Sequence, residues 1–420
     1  MRRRSLPFLA LLTAGAAACA DGPSGGDGTW QATTDTVGDT VVVRTESGSV
    51  WGADARLVEE LRIGVVEGEE AYMLGRIGTV AADPAGRIYV VDEQVPAVRV
   101  YDAQGTHIFN AGARGGGPGE YERPRGIAFL PGGDWAVYDD SRTKRLNVYG
   151  PDGSPASTRT FTNTFSAYGQ PFPLHPRADG AVAVPTTIRR EDGSRAAFLW
   201  VAPDGLVTDT LLQPTDPTDT PPFTVDVGGG GRASFSVPLA PRLTWTLSPA
   251  GHPVTGTGAR YAVTIHRPDQ PLRIERVTEP VILPDSERRE HQDAYEAGVR
   301  GSAPDFRWSG QFPTTKPFFR HLFTGADGRI WVRVNLPSER REIPPPARAE
   351  PDTPPRVTWY EPQRWDVFEP DGRYLGAVDM PDDFTLHHAR GEHVWGVTRD
   401  ELGVNYVVRM RIEPGAAADA

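Results

Sequence analysis

One segment occurs six times in this chain of 420 residues. It reads "ADPAGRIYVVD" over 82–92, "FLPGGDWAVYD" over 129–139, "PRADGAVAVP" over 176–185, "LSPAGHPVTG" over 247–256, "TGADGRIWVRV" over 324–334 and "HARGEHVWGV" around Gly391. Each copy sets a glycine (Gly86, Gly133, Gly180, Gly251, Gly328, Gly391) ahead of a short alternating run, as a tight turn entering a strand requires. A second turn follows in five units, in "YDAQGTHI", "YGPDGSPA", "VAPDGLVT", "HRPDQPLR" and "FEPDGRYL". Two hairpin turns per unit mean four strands per unit. The first-turn glycines are 47, 47, 71, 77 and 63 residues apart, so the early units are compact and the later ones carry insertions. Four antiparallel strands repeated about every 45 residues is the pattern of a propeller blade. The expectation is an all-β, six-bladed β-propeller with four-stranded antiparallel blades.

Such a ring must close, and either "TVVVRT" (40–45) or "LVEELRIG" (57–64) alternates suitably to complete the sixth blade beside "NYVVRMRI" (405–412). Composition agrees with many short strands and turns: 46 Gly and 40 Pro are too many for a helical protein. The formal net charge of −11 argues against nonspecific nucleic-acid binding. Lys144 and Lys316 are the only lysines, so nearly every cation is Arg, which reads as a compositional bias rather than an array of anion sites.

The first residues, "MRRRSLPFLALLTAGAAACADG", run from a basic start through an apolar stretch to small residues, the layout of an export signal. Cys19 is the only cysteine, which excludes disulfides and thiol catalysis from the rest of the chain. Behind Ala16, Ala17 and Ala18 it resembles a bacterial lipobox, with Ala16 where Leu is usual. The resemblance implies a signal peptide over 1–18, lipidation at Cys19 and anchoring to the cell envelope, on the periplasmic or outer-membrane surface. Residues 19–39 read as a flexible tether, 40–414 as the propeller and 415–420 as a disordered tail.

"GARGGGPGEYERPRGIAF" (112–129) invites a phosphate-cradle reading, which fails: Gly119 is followed by Glu120 and Tyr121 where a P-loop needs Lys and a hydroxyl, and the glycines are not spaced GxGxxG. The segment lies where the outermost strand of one blade must cross to the innermost strand of the next. Gly115, Gly117, Pro118, Gly119, Glu120 and Tyr121 resemble the G-x-G-x-GPGE[FY] segment between the first two blades of exported bacterial six-bladed propeller lipoproteins, of the NHL and TolB-like group. "KPFFRHLFTGADGRIWV" (316–332) adds a second characteristic stretch, and Asp139 with Arg145 resembles the ion pair that braces an NHL blade; blade one has Ala97 in place of that Arg.

A propeller enzyme of the lactonase type holds a divalent cation at the channel mouth with carboxylates and an amide from several innermost strands. Counting eight residues back from each first-turn glycine gives Gly78, Arg125, Phe172, Leu243, Arg320 and Asp383; one further on gives Thr79, Gly126, Pro173, Thr244, His321 and Phe384. Neither row is a metal cage, and no nucleophile elbow or HExxH is present, so no catalytic residue, metal or cofactor is assigned. His387 and His388, adjacent in a strand, point to opposite faces and read as structural. Lys316, Arg320 and His321 with Arg114 and Arg125 form a positive mouth, Asp383 neutralises part of it, and Glu120 and Tyr121 complete the binding set. The expected function is a monomeric, envelope-tethered scaffold that engages a protein partner or a small, anionic ligand at one propeller face; the alternative is a metal-dependent hydrolase, lactonase or lyase. Among the insertions, "PDSERREHQDAYEAG" (284–298) predicts a helix capped by Asp285 or Ser286 and stopped at Gly298, and the proline-rich 337–356 and 213–223 predict projecting loops.

Overall fold

The computed structural model describes residues 30–52, 55–162, 172–190, 193–227, 231–343 and 355–415. Cys19, residues 20–29 of the tether, 344–354 of the proline-rich loop and 416–420 of the tail lie outside the described residues. Six antiparallel sheets form six blades. Blade one is Ile77–Ala82, Ile88–Asp92, Ala97–Tyr101 and His107–Ala111; blade two is Pro124–Phe129, Trp135–Asp139, Arg145–Tyr149 and Pro155–Thr160. Blade three is His175–Pro176, Val182–Arg190, Gly193–Val201 and Val207–Leu212; blade four is Thr244–Leu247, Pro253–Gly256, Ala262–Ile265 and Leu272–Arg276. Blade five is Phe319–Thr324, Ile330–Val334, Gln363–Phe368 and Tyr374–Met380. Thr385–Arg390, His393–Arg399 and Asn405–Glu413 make blade six, completed by Arg56–Ile63 from the other end of the chain.

Antiparallel order puts the first turn of every blade, and the second turn of blades one to five, on one face, the turn face, and the connections from second to third strand and from blade to blade on the other, the loop face. All six first-turn glycines have positive φ, between 57° and 92°, where a Cβ is strained. Aspartates close these turns: Asp83 Oδ1 accepts from the N–H of Ala85 and Arg87, and Asp102 does the same for Gln104 and Thr106.

Inner strands such as Ile88–Asp92 and Trp135–Asp139 are buried on both sides, since each blade is sandwiched between two others, which is why they read as apolar runs rather than alternations. Each blade joint has its own apolar cluster. The joint between blades three and four is the thinnest among the described residues, with five buried members (Ala181, Ala183, Phe198, Trp200, Leu247) against ten to fourteen elsewhere. A second joining device uses arginine. On the turn face Arg87 donates to Pro151 O at 2.7 Å, Arg159 to Gly180 O at 2.7 Å, Arg267 to Pro370 O at 2.5 Å, Arg329 to Gly391 O and Arg409 to Ala103 O at 2.9 Å. Each reaches from one blade to a turn carbonyl of the next, among the described residues at every joint but that between blades three and four. The abundance of Arg is thus partly structural, because a guanidinium can donate to a carbonyl and an acid at once.

The two candidate closing strands go to different places. Residues 56–63 complete blade six, whereas Thr40–Ser47 runs parallel to Leu272–Arg276 and extends blade four, with Gln31–Val37 paired outside it. The tether expected over 19–39 therefore ends sooner, because the β-branched run of Gln31–Val37 finds an edge to pair with. Between these strands Trp51 donates its N–H to Leu375 O at 2.6 Å and buries its ring in the cluster of blades five and six. Residues 40–63 thus strap the outer edges of blades four, five and six.

The helix is Asp285–Arg300, preceded by Pro284 with no side-chain cap, and it continues through Gly298. Burial of Val299 and the Glu296–Arg300 pair extend it past the glycine. It is fixed to blade five through Glu287, which is buried against Lys316 at 3.1 Å, and through Glu290, which accepts from Thr358.

Candidate functional site

Four of the six innermost strands slip register once, at Ile77/Thr79, Pro124/Ile127, Phe319/His321 and Leu386/His388. Such bulges re-aim the residues around them. The inserted residues are Gly78, the Arg125–Gly126 pair, Arg320 and His387, and the next row across the ring is Thr79, Ile127, His321 and His388. The count from the glycines fails in blade six: its first hairpin turns on Gly391 and Glu392 alone, where blade one uses 83–87 and blade five 325–329. His387, not Asp383, therefore stands at the level of Arg125 and Arg320. Asp383 lies ahead of the strand, exposed, accepting from Thr398 Oγ1 and the Arg399 N–H.

Around the axis lies a cavity of about 1000 Å³ that reaches the turn face and is lined from all six blades. Blade three widens it. Pro173 and Pro176 leave its innermost strand only two residues long, since proline cannot continue a ladder, and the second strand is uncovered so that Thr186 and Thr187 become wall. Phe172, Phe198, Trp245 and Phe323 supply aromatic surface, and Thr79, His175, His321, Thr324, His387 and His388 supply polar atoms.

The histidines are held neutral. Burial pushes His175 and His387 down to about 4. His388 is pushed down to about 3 by burial and the neighbouring Arg390. His321 is brought to about 4 by burial and the charges of Arg333 and Arg320, although its ring presents an accessible side to the cavity, which makes its depression the softest of the four. His387 Nδ1 accepts the Val80 N–H at 3.1 Å, which fixes the remaining proton on Nε2 as a donor. Thr79 Oγ1, His175 Nε2, Thr324 Oγ1 and His388 Nε2 are buried and have no hydrogen-bond partner among the described residues. His387 and His388, read from the sequence as pointing to opposite faces, both line the cavity, because the bulge breaks the strand alternation.

The eight residues expected to form a charged mouth are divided among separate places, and only His321 lines the axial cavity. Tyr121 is fully buried in the joint of blades one and two, its ring 6.1 Å from Tyr149 and so close to Gly112 that a Cβ there would lie 2.2 Å from it. Glu120 folds back on the Gly117 N–H at 2.8 Å, and exposed Arg114 donates to Gln94 O at 3.3 Å. Arg145 organises the crossing: it binds Asp139 at 2.8 Å and donates to the carbonyls of Gly115, Gly116 and Glu120. In blade one Arg99 takes the corresponding role against Asp92, at 3.3 Å. Arg125 lies between Glu93 and Asp140 at 4.0 and 3.7 Å and over the Phe172 ring. Lys316 is buried between Glu287 and Glu361, and Arg320 bonds the same Glu361. Among the described residues no group of three or more His, Cys, Asp or Glu could hold a metal ion. A second cavity, of about 830 Å³ on the loop face, is walled by Phe223, Phe306, Trp308, Phe312 and Phe318; Phe223 stacks on Phe306, and Trp308 meets Phe223 and Phe312 edge to face.

Residues 65–167 match a family described as DUF5128, 6-bladed beta-propeller. The chain matches none of the curated proteins in sequence. Among solved structures it is similar to a member of the DUF4221 family from Bacteroides vulgatus, with 10% identity, TM-score 0.49, and 86% of this chain and 98% of that one covered. It is also similar to a presumed exported protein from Bacteroides fragilis, with 9% identity, TM-score 0.45, and coverage of 85% and 95%. A third is the PQQ-bound aldose sugar dehydrogenase from Streptomyces coelicolor, with 12% identity, TM-score 0.41, and coverage of 86% and 99%. At these identities the likeness is one of fold. No helix among the described residues is long and apolar enough to cross a membrane.

Proposed function

We propose that the protein is an envelope-tethered binding module of the cell exterior or periplasm that takes a small organic molecule into its axial cavity. The supporting observation is the axial cavity itself, about 1000 Å³ and lined from all six blades, with Phe172, Phe198, Trp245 and Phe323 as aromatic wall and the neutral histidines His175, His321, His387 and His388 around it. The volume suits a drug-sized molecule, and the mixture of aromatic wall with a few convergent polar groups is typical of small-molecule sites. Tethering rests on the export signal and Cys19.

The test is to purify the full chain from its own membranes, denature it, and analyse what is released. A stoichiometric small organic compound, depleted when His388→Phe fills the cavity, supports binding. No compound released from either protein, and no rise in thermal midpoint with extract of the same cells, would reduce the propeller to a scaffold.

A further inference from the structure

Arg390 ends the innermost strand of blade six, lines the axial cavity at the turn face and is half-buried. Among the described residues it makes no hydrogen bond or ion pair. Of the other charges lining the cavity, Arg87, Arg177 and Asp83 are engaged. Arg87 is held by Asp83 at 2.7 Å and by Pro151 O, and Arg177 is bidentate on Asp179 and lies 4.6 Å over the Trp200 ring. Asp83 spends its oxygens on Arg87, on two turn N–H groups and on the Tyr89 hydroxyl. Asp134, in blade two, lies in the field of Arg159. The acids whose fields Arg390 feels are Asp83 and Asp327, and Asp327 is bonded to the Gly391 and Arg329 N–H groups. Burial depresses Arg390 below the usual arginine range in spite of both.

We infer that the ligand of the axial cavity is an organic monocarboxylate, its acid group paired with Arg390 at the turn-face mouth and its uncharged body lying among the histidines and aromatic rings; this rests on the binding reading above. A half-buried guanidinium without a partner is a costly group to keep, and a carboxylate matches its fork with two charge-assisted hydrogen bonds. The rest of the lining argues for a single charge. The four histidines are neutral near pH 7, so a dianion such as inorganic phosphate would bring in a second charge with nothing to meet it. The body of the ligand would accept from His387 Nε2–H, the donor fixed by the Val80 bond.

The experiment uses the purified full chain and two matched pairs, phenylacetate with phenylacetamide and 4-phenylbutyrate with 4-phenylbutyramide, with affinities from ligand-observed NMR and inorganic phosphate as competitor. The expected result is that each acid binds about tenfold or more tighter than its amide. In R390Q the acid falls to the affinity of the amide while the amide still binds and the thermal midpoint does not fall, and R390K keeps part of the preference. Amides binding as well as acids, an acid preference that survives in R390Q, or displacement by phosphate at similar concentration would each overturn the carboxylate assignment and leave the cavity as a site. Binding of neither acid nor amide would overturn both.

Discussion

His387 is 7% exposed and accepts the Val80 N–H, so protonating it breaks a bond between blades six and one. Its folded value is about 4 against an ordinary 6.5, and the unfolded chain therefore binds more protons between these limits. Stability is full above about 6.5 and declines as pH falls toward 4. His387→Asn should remove about 2 kcal/mol of the stability lost between pH 7 and 4.5, measured by urea denaturation at both pH values. An unchanged loss would mean that His387 titrates normally in the native state. At this scale the sequence was legible where one residue type has one job, as with the turn glycines and the Asp139–Arg145 pair. It misled where charge was counted without partners: Lys316, Arg125 and Arg320 look like a cationic mouth until Glu287, Glu361, Glu93 and Asp140, distant in the chain, arrive beside them. His387 and His388 were sent to opposite faces for a different reason, since a one-residue bulge cannot be read from a two-residue alternation.

Strands within a blade follow from local pattern, but the strap over 40–63 does not. Both "TVVVRT" and "LVEELRIG" have the alternation of an outer strand, and what separates them is the distance Trp51 must span to reach Leu375. Trp51 is the rivet of this element, packed with Trp331 and Trp365 and 6% exposed. Trp51→Ala should cost about 3–5 kcal/mol. Removing Gln31–Val37, whose residues are all exposed, should cost far less, because it takes away an outer strand that covers almost no apolar surface. Chemical denaturation of the two variants side by side checks this, and similar losses would mean that the strap acts as one sheet extension rather than through its tryptophan.

At the scale of the ring, chain closure in blade six is not the weak point. Blade six gains a strand from the other end of the chain and its joint with blade one has an arginine tie, whereas the joint of blades three and four has the smallest apolar cluster and no such tie among the described residues. In hydrogen exchange read by mass spectrometry, the amides of Thr244–Leu247 and Pro253–Gly256 should exchange before those of Asn405–Glu413. The reverse order would place the opening at the closure after all. The strap also decides how the disc would hang. Trp30, bonded to Thr45 at 2.9 Å, leaves the fold at the rim of blade four rather than from either flat side. A lipid on Cys19, as proposed, would be joined to that rim by a chain of at most about 40 Å, so that the leash would pull on the edge of the disc and leave both broad sides, and the mouth holding Arg390, uncovered by their own anchor.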